Sequence, residues 1–322
     1  VGTPMPETAA TQLDFLESML RIRFFEEEVG RLRAEGSIVG SVHLCNGQEA
    51  VHAGACAALD PSRDAVFPTY RGHGWTLACG VPPYALFAEL LGRQTGVNGG
   101  RGGSAYLTAP EYGMYGENSI VGAGAPIAAG AALAATFDGS GRVALAAFGD
   151  GAMNQGAVHE AMNFAAVRDL PVIFLVENNH YSELTPIASM VRGDRLFARA
   201  SAYGMPGGRV DGNDPAAVRD AVAQAVERAR GGHGPALIEA MTQRIVGHYI
   251  GDAQHYRPPG ELEAALADEP IARLLATLRE TIPHAELDAL SERVRAEIAD
   301  ASARAQADPP ADPSTVLEHL YA

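Results

Sequence analysis

At 322 residues and 47% hydrophobic, the chain can bury a large core in one big domain or two smaller ones. A net charge of −15 argues against nucleic acid or an anionic membrane surface as a partner, and no apolar run of about 18 residues is present to span a bilayer. All 24 basic residues are arginine, so Schiff-base and phosphate-loop lysines are excluded, and any phosphate must be met by arginine, histidine, backbone N–H groups or a metal. The N-terminus lacks the charged-then-apolar layout of a signal peptide, and a cytoplasmic protein is expected. Cys45, Cys56 and Cys79 have no metal-ligand spacing and read as buried free thiols.

Residues 1–10 read as a loose tail, 11–260 as the main domain and 261–322 as a helical extension of it. A helix is predicted after Thr11, because Leu13, Leu16, Leu20 and Phe24 recur at helical spacing. The acidic run Glu26–Glu28 on it reads as a solvated face. A second helix is expected over Gln48–Leu59, a short strand over Asp64–Pro68 and a helix over Pro82–Leu91, followed by a glycine-rich loop at Asn98–Ser104. The Gly/Ala run Gly122–Ala135 reads as a helix whose small residues allow close packing against another subunit. Arg142–Phe148 and Pro171–Glu177 are short apolar strands flanking a helix from Asn154 to Val167. A helix at Asp214–Arg230, a strand at Pro235–Met241 and helices at Ile271–Glu280 and Glu286–Ala307 follow. Buried strands alternating with helices define a doubly wound, mostly parallel α/β fold with helices on both faces.

In such sheets ligands bind beyond the carboxyl ends of the strands. Two strand ends here carry Asp150 and Asn179, one βαβ unit apart. A carboxylate and a carboxamide oxygen side by side are hard ligands of the kind Mg²⁺ takes together with phosphates and water. Gly149 and Gly151 let the backbone approach a ligand closely, and the following helix aims its N-terminus at the same place. The sum is a diphosphate–Mg²⁺ site. A lone Gly-Asp-Gly is a common turn; the pair of strand ends is the stronger signal.

The stretch from Gly149 to Gly156, followed by Leu170–Asn179, resembles the thiamine-diphosphate motif of alpha subunits of pyruvate, branched-chain and acetoin dehydrogenases. The resemblance extends over nearly the whole chain, through His43–Ala50, Tyr70–Gly74, Asn118–Ala123 and Gly247-His248. It implies that Asp150, the Asn179 side chain and the Tyr181 carbonyl ligate Mg²⁺. It places Tyr70, Arg71 and His248 at the diphosphate, backbone N–H groups of Gly151 and Ala152 on it, and Ser119 and Val121 against the middle of the cofactor. Arg71 is the natural bidentate phosphate partner. A separate beta subunit is implied to supply the activating glutamate in an α₂β₂ heterotetramer. The implied reaction cleaves a 2-oxo acid or acetoin on thiamine diphosphate and passes the acyl group to a lipoyl group, on a lipoyl acyltransferase core. This chain departs from the family pattern with Glu117 and Ser119 where many members have glycine.

His73 reads equally as a hydrogen-bonded loop histidine or as an active-site acid–base. His248 has the stronger case for a site role, since its loop matches as a unit. His159 and Glu160 read as interface or surface groups, and His52 and His180 as structural or solvated. Two rival functions remain: a thiamine-dependent two-carbon acyl or ketol transferase of secondary metabolism without a lipoyl partner, and a non-catalytic or nucleotide-binding Rossmann protein. The latter requires a G-x-G-x-x-G turn after a strand, and no good match is present.

Overall fold

The computed structural model describes residues 9–318. Helix α1 (Ala9–Ala34) begins three residues before the predicted start, and most of the expected tail lies outside the described residues. The periodic positions Leu16, Leu20 and Phe24 are buried as the spacing requires. The acidic run behaves differently from its reading: Glu27 is exposed, but Glu26 is fully buried. Helix α2 (Glu49–Ala57), strand β1 (Ala65–Phe67) and helices α3 (His73–Ala78) and α4 (Pro83–Leu90) follow. The short α3 was not foreseen.

Helix α5 (Gly124–Asp138) leads into β2 (Ala144–Gly149), α6 (Gly156–Val167) and β3 (Val172–Asn178). A small hairpin, β4 (Tyr181–Ser182) with β5 (Thr185–Pro186), sits just beyond β3. Strand β6 (Gly207–Asp211), α7 (Pro215–Arg230) and β7 (Ala236–Met241) complete the sheet. Strand β6 escaped the sequence reading because it is mostly exposed and opens with two glycines, so it has no apolar alternation.

The main sheet is wholly parallel in the order β1-β2-β3-β7-β6. Side chains alternate across it. Ala144, Ala146 and Phe148, with Val172, Phe174 and Val176, join the buried faces of α5 and α6. Leu145, Ala147, Ile173 and Leu175 join those of α2 and α7. Helices therefore cover both faces, which is why these strands are apolar at every position. Helices α8 (Glu261–Ala267), α9 (Pro270–Leu278) and α10 (His284–Ala307) end the chain. Ile271, Leu278, Val294 and Ile298 share a third apolar cluster with α1 and α4, so the two ends of the chain form one core. Among the described residues, no helix is long and apolar enough to cross a membrane.

Candidate functional site

The register of the sheet builds one wall of the site. Gly149 pairs with Glu177, so the residues that follow, Asp150 and Asn178-Asn179, emerge together at one edge. Asp150 opens a five-residue 3₁₀ turn, Asp150–Asn154, and α6 starts only at Gly156. Asp150 is 1% exposed. Its Oδ1 accepts the Gly151 N–H at 2.9 Å, while its Oδ2 is buried with no hydrogen-bond partner. Burial pushes its carboxyl up to about 6. A buried carboxylate oxygen without a partner is costly unless a cation meets it.

Asn179 stands beside it, its Nδ2 donating to Gln48 Oε1 at 3.0 Å and its Oδ1 accepting the Tyr181 N–H at a long 3.3 Å. The Tyr181 hydroxyl donates to Glu261 Oε2 at 2.7 Å, which fixes the hairpin that carries its carbonyl. Gly151 is required here for space: a Cβ would stand 2.3 Å from Ser182 Oγ. Gly149 is not, for a Cβ there meets nothing within 4 Å. The close approach attributed to both glycines thus belongs to Gly151 alone.

The opposite wall is made of loops held by side chains. Arg71 donates through Nη1 to the Leu44 carbonyl and through Nη2 to the His248 carbonyl at 2.9 Å. Arg244 donates through Nη1 to His248 Nδ1 at 2.8 Å and through Nη2 to the Glu183 carbonyl at 2.9 Å. Its Nε is buried without a partner. Burial, then the nearby Arg71 charge, pulls the Arg244 guanidinium down to about 10. The same two effects hold His248 at about 4. His248 is therefore neutral at physiological pH. Since Nδ1 accepts from Arg244, its proton sits on Nε2, leaving that nitrogen as a donor for a ligand. His43 packs its ring against Tyr70 and His248, with centroids 4.5 and 5.0 Å away.

Between the walls lies a cleft of about 260 Å³. Tyr70, Arg71, Val121, Asp150, Gly151, Ala152, Asn179, Tyr181 and His248 all line it. Two expected site residues do not. Ser119 lies on the same segment as Val121 but outside the lining. His73 is 1% exposed behind the Tyr70–Arg71 turn, its Nδ1 paired with Glu26 Oε2 at 2.8 Å and its Nε2 with Ser104 Oγ at 2.9 Å. Both ring nitrogens are engaged, and the ring does not reach the cleft.

Sequence reasoning missed Arg244 and Glu177. Glu177 lines the floor of the cleft, where its Oε1 accepts from Gln48 and pairs with His52, each at 2.8 Å, and its Oε2 accepts from Trp75 Nε1 at 3.2 Å. Arg244 carried a usable signal: it lies four residues before His248, just past the end of β7, in a chain where arginine is the only strong phosphate cation.

A parallel sheet with a carboxylate-bearing turn at a strand end and arginines facing it makes a cleft of mixed charge beyond the carboxyl ends of the strands. The family described as dehydrogenase E1 component matches residues 17–314. The alpha subunit of acetoin:2,6-dichlorophenolindophenol oxidoreductase from Bacillus subtilis is 42% identical over 307 residues, covering 95% of this chain and 92% of its own. The protein of the same description from Cupriavidus necator is 41% identical and covers 98% and 96%. The pyruvate dehydrogenase E1 component subunit alpha of Zymomonas mobilis is 42% identical, covering 96% and 87%. The chain belongs to the dehydrogenase E1 component family, and it stands with the alpha subunits of its thiamine-diphosphate-dependent oxidoreductases, as its motifs implied.

Proposed function

We propose that this chain is the diphosphate-binding alpha subunit of a thiamine-diphosphate- and Mg²⁺-dependent 2-oxo acid or acetoin dehydrogenase. The observation that carries the reading is the partnerless, buried Oδ2 of Asp150 at a strand end, beside Asn179 and across the cleft from Arg71 and Arg244. The donor set fits the group. Asp150, Asn179 and the Tyr181 carbonyl would hold Mg²⁺ as hard oxygens. Arg244, Tyr70 and Arg71 would face the diphosphate, with the backbone N–H groups of Gly151 and Ala152 on its other side. When bound, thiamine diphosphate supplies an electron sink for cleaving the bond next to a carbonyl.

This chain's residues then bind and orient. The neutral His248, its tautomer fixed by Arg244, presents its Nε2–H at the cleft, where it would donate a hydrogen bond to the thiolate left when a disulfide acceptor is reduced, without giving up that proton. A carboxylate for the aminopyrimidine is expected from the beta subunit. Of this chain's three cleft carboxylates, Glu177 is already committed to Gln48, His52 and Trp75, Asp150 would face the metal, and Glu183 is exposed on the β4–β5 turn. Exposed apolar side chains on α5 and α6, Ile127, Phe137, Phe164 and Val167, support the subunit contact expected of the small-residue helix. The helical region 261–322 is read as part of the same domain.

Reconstitution tests the reading. The chain mixed with its beta subunit should turn over pyruvate, a branched 2-oxo acid or acetoin with an artificial electron acceptor, and the chain alone should bind the cofactor weakly or not at all. Tight stoichiometric binding and turnover by the isolated chain would overturn the two-subunit reading. Turnover without any acyl transfer to a lipoyl domain would favour the acyl or ketol transferase instead.

A further inference from the structure

Of the two departures from the family pattern, Glu117 and Ser119, neither lines the cleft, and Glu117 is the buried one. It is 7% exposed and lines no part of the cleft, yet it packs directly under the turn that does. A Cβ built on Gly72 would lie 1.8 Å from Glu117 Oε1, 2.5 Å from its Cδ and 2.6 Å from its Cγ. All three nearest atoms belong to this one side chain. Gly72 has φ −105° and ψ 0°, a conformation open to any residue, so space alone excludes a side chain there. Glu117 Oε2 accepts the Leu107 N–H at 3.1 Å, which anchors the far end. Its Oε1, against Gly72, is buried without a hydrogen-bond partner. The backbone bridge between Thr69 and Asn118 keeps the two segments in register.

We propose that Glu117 is a positioning residue for the cofactor's diphosphate: its side chain takes the place a residue-72 side chain would fill and props the Tyr70–His73 turn so that Tyr70 and Arg71 face the cleft. The inference rests on the function proposed above.

The prop works as the neutral acid. Burial raises the Glu117 carboxyl to about 8, and Glu26 reinforces this while His73 opposes it. The charged groups that act on it are His73 from α3 and Glu26 from α1. Burial works against a charge on either Glu26 or His73, but their mutual attraction outweighs it, so the two form an ion pair. Loss of the Glu117 proton would add an uncompensated negative charge directly beneath the diphosphate loop.

Calorimetric affinity of the alpha–beta complex for thiamine diphosphate with Mg²⁺ tests both parts. Gly72→Ala alone is expected to weaken binding about tenfold or more, the cost of overpacking. In a Glu117→Ala background, which removes all three colliding atoms, the same substitution should be neutral or improve binding. In the parent, affinity should fall about tenfold between pH 7 and pH 9, as expected for one linked proton with a midpoint near 8. In Glu117→Gln this alkaline loss should disappear. An equal cost of Gly72→Ala in both backgrounds, or an alkaline loss unchanged in Glu117→Gln, overturns the proposal. If Gly72→Ala fails to fold, the pH comparison decides. A parent complex that binds no thiamine diphosphate would sink the proposed function itself, a result distinct from either of these.

Discussion

The two walls of the cleft are built on different principles. One is set by backbone: the register of β2 and β3 delivers Asp150 and Asn179 to the same edge, and little else is needed to place them. The other is set by side chains: Arg71 and Arg244 tie the loops at Leu44, Glu183 and His248 together by donating to their carbonyls and to one ring nitrogen. A wall fixed by register is rigid and carries the proposed metal ligands. A wall fixed by buried arginines is charged, costly to desolvate and dependent on an anion to balance it. Each arginine there is both strut and ligand candidate.

The sharpest break in the first wall is Asp150→Ala. Cofactor binding in the complex should fall beyond the roughly 10–100-fold typical of losing a group that only supports a metal ligand. The unliganded protein should keep its thermal midpoint or gain, because a buried, partnerless carboxylate is removed. A parallel loss of stability would mean that Asp150 serves the fold rather than a cation.

On the second wall, Arg244→Ala should weaken cofactor binding about 10–100-fold, the scale of a lost charged hydrogen bond. Arg244→Lys should recover only part of it, since one ammonium cannot reach both His248 and the Glu183 carbonyl. Full recovery by lysine would reduce Arg244 to a bare charge. For His248→Ala, transfer to a lipoyl acceptor should drop about 10²–10³-fold, the scale of one lost donor to a developing negative charge, and cofactor affinity and turnover with an artificial acceptor should drop less. Equal losses in all three leave His248 only its role of propping the loop.

These differences explain what could be read in advance. Asp150, Asn179 and the strands beneath them were legible because apolar runs and their ends are local in sequence. Arg244 was not, because its importance comes from meeting His248 and Glu183 in space. The surroundings of His73 were not legible for a related reason: its neighbours in sequence face the cleft, but α3 begins at His73 and turns the ring inward to Glu26. That same pairing buried a glutamate read as solvated. Strand β6 was missed because an exposed, glycine-led edge strand has no pattern to read.

The walls should also differ in their response to acid. His248 and His43 sit well below the ordinary histidine value, at about 4 and about 3, chiefly through burial and then the Arg71 charge. The unfolded chain takes up these protons near 6.5 while the folded one resists. Stability of the unliganded complex is therefore complete above about 6.5 and is lost as pH falls toward 4. Thermal midpoints measured across this window should decline, and His248→Gln should flatten the decline. No change in slope would detach His248 from the buried arginines. The smallest expected effect lies in the backbone wall. Gly151→Ala should cost about 1–3 kcal/mol by driving a methyl group into Ser182, and Gly149→Ala should leave stability nearly unchanged. Chemical denaturation of the two variants compares them directly.

The most direct test of a diphosphate held through a metal is the affinity of the parent complex for thiamine diphosphate with saturating Mg²⁺ and again with a chelator. The expected result is tight binding with the cation and a loss of about 100-fold or more without it, and Asp150→Ala should bind equally poorly in both conditions. Equal affinity of the parent with and without a divalent cation would contradict it.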